Sequence, residues 1–166
     1  MKKDSLESEV GRLLIKRRQT LCLAESCTGG LLASKITSIA GSSNYFWGGI
    51  IAYSFASKTR LLGVKKETLR RFGSVSEPTA LEMARGALKC SGADWAVSIT
   101  GIAGPSGGTK EKPVGTVCIG ISSKKRVRTF TQKFSGDRGL IRELAVLSAL
   151  DALKRSLINL PAVDIG

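Results

Sequence analysis

The chain has 166 residues, 42% apolar and 23% charged, and its 26 Lys and Arg against 13 Asp and Glu give a formal net charge of +13. That balance describes a single soluble domain able to bury a core, and the absence of an apolar run of membrane length or a signal-peptide pattern argues for a cytoplasmic protein with no membrane association. Histidine is absent, which removes His-based triads, His-ligated zinc and His general bases, and leaves Lys, Tyr, Cys, Asp or Glu for any proton transfer.

The spacing predicts a first helix from Asp4 to Arg18, with Asp4 and Glu7 at capping-box separation and Leu6, Val10, Leu13 and Leu14 as its apolar stripe. A short strand, 21–24, runs into Ala24-Glu25-Ser26-Cys27-Thr28-Gly29-Gly30, and a helix follows from about Gly30 to Ile39. That is strand, tight turn, helix, with hydroxyl and thiol groups on the turn and two glycines that let a ligand approach. The helix start is expected to aim unpaired N–H groups at the turn, as an anion site or an oxyanion hole.

Gly48 to Tyr53 reads as a second strand, and Ser54 or Ser57 caps a short helix through Leu62 that Gly63 ends. Ser76 caps the next helix, with Pro78 in its first turn and its end near Gly92. A third strand is expected over Trp95–Thr100. The Gly- and Pro-rich segment 101–113 then cannot be regular structure, and a connection that long is usually functional. Residues 115–122 and 127–134 form a predicted hairpin around Ser123-Lys124-Lys125. Gly136-Asp137-Arg138 opens a last helix carrying Leu140, Ile141, Leu144, Leu147, Leu150, Leu153 and Leu157, with Pro161 past its end. Alternating helices and short strands plus one hairpin indicate a three-layer α/β/α sandwich around a mixed sheet. Ligands gather at the C-terminal strand ends of such sheets, here Ser26, the segment 53–58, and Thr100 with its loop.

Ser26 is the first candidate nucleophile, and without histidine it needs another base. Lys58 suits that role if it starts the short helix, where burial and the positive helix end both lower its pKa. Tyr53, at the strand end, can donate or relay a proton. Cys27 is the alternative nucleophile, favoured as a thiolate beside a helix start. The four cysteines form no C-x-x-C pair and read as free thiols of a reducing compartment. No metal-ligand cluster is apparent, so neither a metal nor another cofactor is expected. Ser122-x-x-Lys125 falls in a hairpin turn and reads as coincidence. Arg138 and Arg142, four apart on one helix face, form a candidate phosphate clamp. The basic runs are scattered and lack interleaved aromatics, so nucleic-acid binding is a weaker reading of the charge than a phosphorylated small molecule.

Ala24–Gly30, Gly48–Ser54 with Lys58, Leu62-Gly63-Val64, Gly73–Glu77, Thr100-Gly101-Ile102-Ala103-Gly104-Pro105, Lys112–Val117 and Gly136-Asp137-Arg138 together resemble the CinA C-terminal domain. This family of competence/damage-inducible proteins includes stand-alone nicotinamide-nucleotide amidases. The resemblance covers about residues 5–158. It implies an α/β/α fold, a homodimer, and hydrolysis of nicotinamide mononucleotide to nicotinic acid mononucleotide and ammonia. By motif position it makes Ser26 the nucleophile and Lys58 the base, with Tyr53 and Thr100 supporting them by hydrogen bonds. Thr28, Gly29, Gly30, Gly101 and Gly104 would shape the substrate site, the oxyanion resting near Thr28 and Gly29, and Arg138 or Arg142 would meet the phosphate. Longer members carry an N-terminal domain related to molybdopterin-binding proteins, which this sequence lacks, so its pyrophosphatase activity is not expected. Phe55 stands where the family often has Asn, which takes a polar group from the neighbourhood of Lys58. A nucleotide-binding module without turnover and a basic nucleic-acid-binding protein remain the alternatives.

Overall fold

The structure is a computed structural model and describes residues 4–158. Among the described residues six α-helices and five strands follow in this order: α1 (Leu6–Arg17), β1 (Leu21–Glu25), α2 (Leu31–Thr37), β2 (Phe46–Ile51), α3 (Phe55–Leu62), α4 (Lys66–Phe72), α5 (Glu77–Ser91), β3 (Trp95–Gly101), β4 (Thr116–Ser123), β5 (Val127–Lys133) and α6 (Arg138–Leu157). The sheet order is β2-β1-β3-β4-β5. β1 runs parallel to β2 and β3, and β4 runs antiparallel to β3 and β5.

Period-two alternation sorts the two faces of this sheet. Leu21, Leu23, Val97, Ile99, Val117, Ile119 and Ile121 point to the face covered by α1, α2 and α6, where Val10, Leu14, Leu32, Ile36, Ile141 and Leu150 complete a core of large aliphatics. Cys22, Ala24 and Ala96 point to the other face, against Leu62, Leu69, Met83 and Ala87 of α3, α4 and α5. Small residues there let α5 lie close to the sheet: a Cβ on Gly120 would come 2.7 Å from the carbonyl oxygen of Ala80. This is the mixed-sheet α/β/α sandwich expected. The β1–β2 connection through α2 and the β2–β3 connection through α3–α5 cover opposite faces, so the end of β1 is a topological switch point.

Several local expectations hold. Ser54, rather than Ser57, caps α3 with a capping box, Ser76 caps α5, and Gly63 and Gly92 end α3 and α5 in left-handed conformation; Asp137 caps α6. Others are corrected. Asp4 does not cap α1; Ser5 holds the N-cap position without a side-chain bond, and Asp4 pairs with Arg12. β2 spans Phe46–Ile51 rather than 48–53, so Ala52 and Tyr53 are free to bend into the site. Helix α4 and a 3₁₀ turn at Ser42–Asn44 were not expected; both are too short to show apolar periodicity. In α6, Leu140 and Leu147 are exposed, while Ala145, Ala149 and Ala152 join the buried face. Pro161 lies outside the described residues.

Candidate active site

The turn after β1 is built around a carboxylate. Glu25, 1% exposed, accepts the N–H of Ala33 on Oε1 at 2.8 Å and those of Gly30 and Leu32 on Oε2 at 3.1 Å each. It therefore occupies the N-terminus of α2, whose free N–H groups and positive dipole end suit an anion. Gly29 and Gly30, at φ 57° and 95°, take the left-handed conformations that this tight entry requires. The N–H of Gly29 donates to the Ser26 carbonyl and that of Ser26 to Ile99, fastening the turn to itself and to β3. From α6, Arg142 donates to the carbonyls of Cys27 at 3.2 Å and Thr28 at 2.6 Å.

Into this turn reaches Lys58, in the first turn of α3 and 1% exposed. Its Nζ lies 2.8 Å from Ser26 Oγ, 2.8 Å from the Ala52 carbonyl and 3.3 Å from the Tyr53 carbonyl. Burial disfavours the ammonium and lowers its pKa from 10.5 to about 8. In the neutral amine, two N–H bonds can serve the two carbonyls, which leaves the lone pair for the Ser26 hydroxyl proton. Phe55 is exposed at the start of α3, and Lys58 finds its acceptors in the backbone of 52 and 53.

Ser26 and Lys58 open onto a cavity of about 240 Å³ that Tyr53, Thr100, Gly101, Gly104 and Arg138 also line. Arg138 joins its two walls, donating to the Gly104 carbonyl at 2.7 Å and to the Tyr53 phenol at 3.1 Å. Lys112 ties the loop after β3 to the segment after α4, through the carbonyls of Phe72 and Val75, both at 2.7 Å. Three larger cavities, of about 270, 580 and 630 Å³, contain neither Ser26 nor Lys58.

The CinA C-terminal domain model matches residues 3–157. The chain belongs to the CinA C-terminal domain family. A CinA-like protein of Endomicrobium trichonymphae is 55% identical over 155 residues, which is 93% of this chain and 36% of that protein. The chain thus spans little more than a third of this curated relative. A competence-damaged protein (CinA) superfamily protein from Klebsiella pneumoniae 700603 superposes with a TM-score of 0.90 at 37% identity, covering 93% of this chain and 97% of that one. The competence/damage inducible protein from Agrobacterium tumefaciens gives 0.87 at 41% identity, covering 94% and 98%.

In this CinA domain the residues singled out from sequence separate into two groups. Ser26, Lys58, Tyr53, Thr100, Gly101, Gly104 and Arg138 converge on one cavity. Thr28, Gly29, Gly30 and Arg142 do not line it. The N–H groups of Gly29 and Gly30 are spent on Ser26 and Glu25, Thr28 is fully buried, and the Arg142 guanidinium is held by the turn it braces. Among the described residues the N–H groups of Cys27 and Thr28 bond to no other residue, that of Cys27 meeting only its own thiol, and Cys27 lines the cavity. Thr100 donates to the Ser74 carbonyl at 2.7 Å rather than to Ser26 or Lys58. Tyr53, 60% exposed as a residue, holds Lys58 through its backbone carbonyl, while its phenol meets Arg138. Cys27 is no thiolate: burial raises its pKa to about 11. Glu25 and Lys112 stand in the motifs quoted above, but their roles were not anticipated. A Glu five residues before a Gly at a helix start was a visible but weak sign, and Lys112 gave none.

Proposed function

We propose that this domain hydrolyses the carboxamide of nicotinamide mononucleotide through an acyl-enzyme on Ser26. The observation that carries the proposal is the buried 2.8 Å contact between Lys58 Nζ and Ser26 Oγ. Neutral Lys58 removes the hydroxyl proton as Oγ attacks the carboxamide carbon. The oxyanion meets the Cys27 N–H, the donor that follows the nucleophile in the chain. The lysine ammonium returns its proton to the leaving nitrogen, and ammonia departs. Water enters, gives a proton to Lys58 and attacks the acyl carbon. Ser26 regains its proton from Lys58 as the acid is released, and the acid then gives its remaining proton to solvent.

Arg138 at the rim supports a substrate with an anionic end, because guanidinium binds phosphate in bidentate fashion. The cavity, about 240 Å³, suits the pyridine ring with its ribose, leaving the phosphate at the mouth beside Arg138. The family resemblance also implies a homodimer, and the exposed Trp47, Ile51, Tyr53 and Phe55 offer a second copy an apolar surface to bury. Sedimentation at the monomer mass across micromolar concentrations would overturn that part.

The deciding experiment is ammonia release from nicotinamide mononucleotide by the purified protein beside Ser26→Ala. Release by the wild type and loss of at least ~1000-fold in the variant are expected. Tight binding without ammonia would make the domain a nucleotide-binding module instead.

A further inference from the structure

The cavity of about 580 Å³ lies between the C-terminal part of α5 and the β4–β5 turn. Its register places it far from Ser26. Gly101, beside the first cavity, pairs with Val117 at the start of β4, whereas Trp95 pairs with Ser123 at the other end of both strands. Arg85 and Lys89, one helical turn apart on α5, line it from one side, and Lys124, Lys125 and Arg126 from the hairpin turn. No carboxylate lines it. None of these five cations makes a side-chain hydrogen bond or ion pair among the described residues, although Lys35, Arg12, Arg70, Lys154 and Arg155 all find acidic partners.

A second observation points into the same cavity. Ser122, 1% exposed as a residue, lines the cavity with a hydroxyl-bearing side chain. It stands on the α5 face of the sheet, opposite Ala96. A hydroxyl on a cavity wall can donate a hydrogen bond to an anion held there. Like charges at i and i+4 also destabilise a helix, and Arg85 and Lys89 are such a pair.

We propose that this cavity is a second ligand site, for a small anion carrying two or more phosphate groups. Five cations converging from two elements match several phosphate oxygens through charge-assisted hydrogen bonds. Leu88, Ala93 and Val127 give an apolar wall for an uncharged part of the ligand. The site is concave, and no aromatic side chain lines it, so a stacked nucleic-acid strand fits it less well than a compact ligand.

The test is calorimetric titration with tripolyphosphate at physiological salt. Saturable binding to one site is expected in the wild type. It weakens at least ~10-fold in Lys89→Ala/Lys124→Ala/Arg126→Ala and a few-fold in Ser122→Val, and its affinity falls as salt rises. Ammonia release stays unchanged in both variants, because neither touches the cavity at Ser26; this readout also reports that they are folded. Binding that survives the triple substitution, or that disappears instead in Arg138→Ala, overturns the proposal. So does displacement of tripolyphosphate by duplex DNA at lower phosphate concentration, which would assign the surface to nucleic acid. The titration is repeated on Ser26→Ala, so failure of the amidase reading leaves this result interpretable.

Discussion

Glu25 Oε1 accepts the N–H of Ala33 at 2.8 Å, across the turn that presents Ser26. The N-terminus of α2, a natural anion site, is thus filled from within, and the turn that carries Ser26, the proposed nucleophile, is held by the group that fills it.

Removing that carboxylate orphans three N–H groups. Glu25→Ala should lower stability by about 3 kcal/mol, read by chemical denaturation, and reduce ammonia release because the turn loosens. Glu25→Gln, which still offers one acceptor oxygen, should lose less of both. Equal losses in the two variants would contradict the capping role.

As the proposed base, Lys58 should set the pH profile. Since its pKa is lowered to about 8, kcat/KM should climb as the amine loses its proton and level off above that pH. The unfolded chain keeps the ordinary lysine value of 10.5. Between about pH 8 and 10.5 the unfolded state therefore binds more protons. The stability of wild type relative to Lys58→Met should rise with pH across that window, by about 3 kcal/mol in all, and stay flat below it. A difference independent of pH would mean that Lys58 is not desolvated. Ser26→Ala and Lys58→Ala should each abolish most turnover, and the double variant should be no worse than either.

The two arginines of α6 should behave differently. Arg138 lines the cavity, so Arg138→Ala should raise KM for nicotinamide mononucleotide by at least ~10-fold and leave nicotinamide riboside, which lacks the phosphate, much less affected. Arg142 holds the carbonyls of Cys27 and Thr28, so Arg142→Ala should lower stability and kcat for both substrates alike. Identical kinetic signatures would remove the distinction.

Cys27 adjoins Ser26, yet burial keeps its thiol protonated, with a pKa of about 11. Iodoacetamide at pH 7 should leave activity intact on the time scale that labels the exposed Cys90. Cys27→Ala should retain turnover. Inactivation matched to alkylation of Cys27 would return the nucleophile role to the thiol.

The sequence was most legible where structure is local. Capping by Ser76 and the short apolar runs that mark β1 and β3 depend on neighbours a few positions away. The short helix α4 escaped because seven residues barely complete two turns. Tyr53 and Thr100 were expected to support the pair with their side chains. Their chain positions place them at the cavity, but the orientations of the phenol and the hydroxyl depend on Arg138 and Ser74, far away in sequence.

By itself the sequence determined a layered α/β chain, a serine on a strand–turn–helix corner, and the exclusion of histidine chemistry, because hydrophobic period, caps and composition act over short range. Only the tertiary structure decided that Lys58 meets Ser26 across 32 positions, that Glu25 rather than a ligand takes the α2 N-terminus, and that Arg138 faces the cavity while Arg142 braces the turn. Those outcomes depend on how far a side chain reaches between elements that the chain joins through long connections. Burial then decides which protonation state is populated, and burial is a property of the packed molecule rather than of any stretch of it.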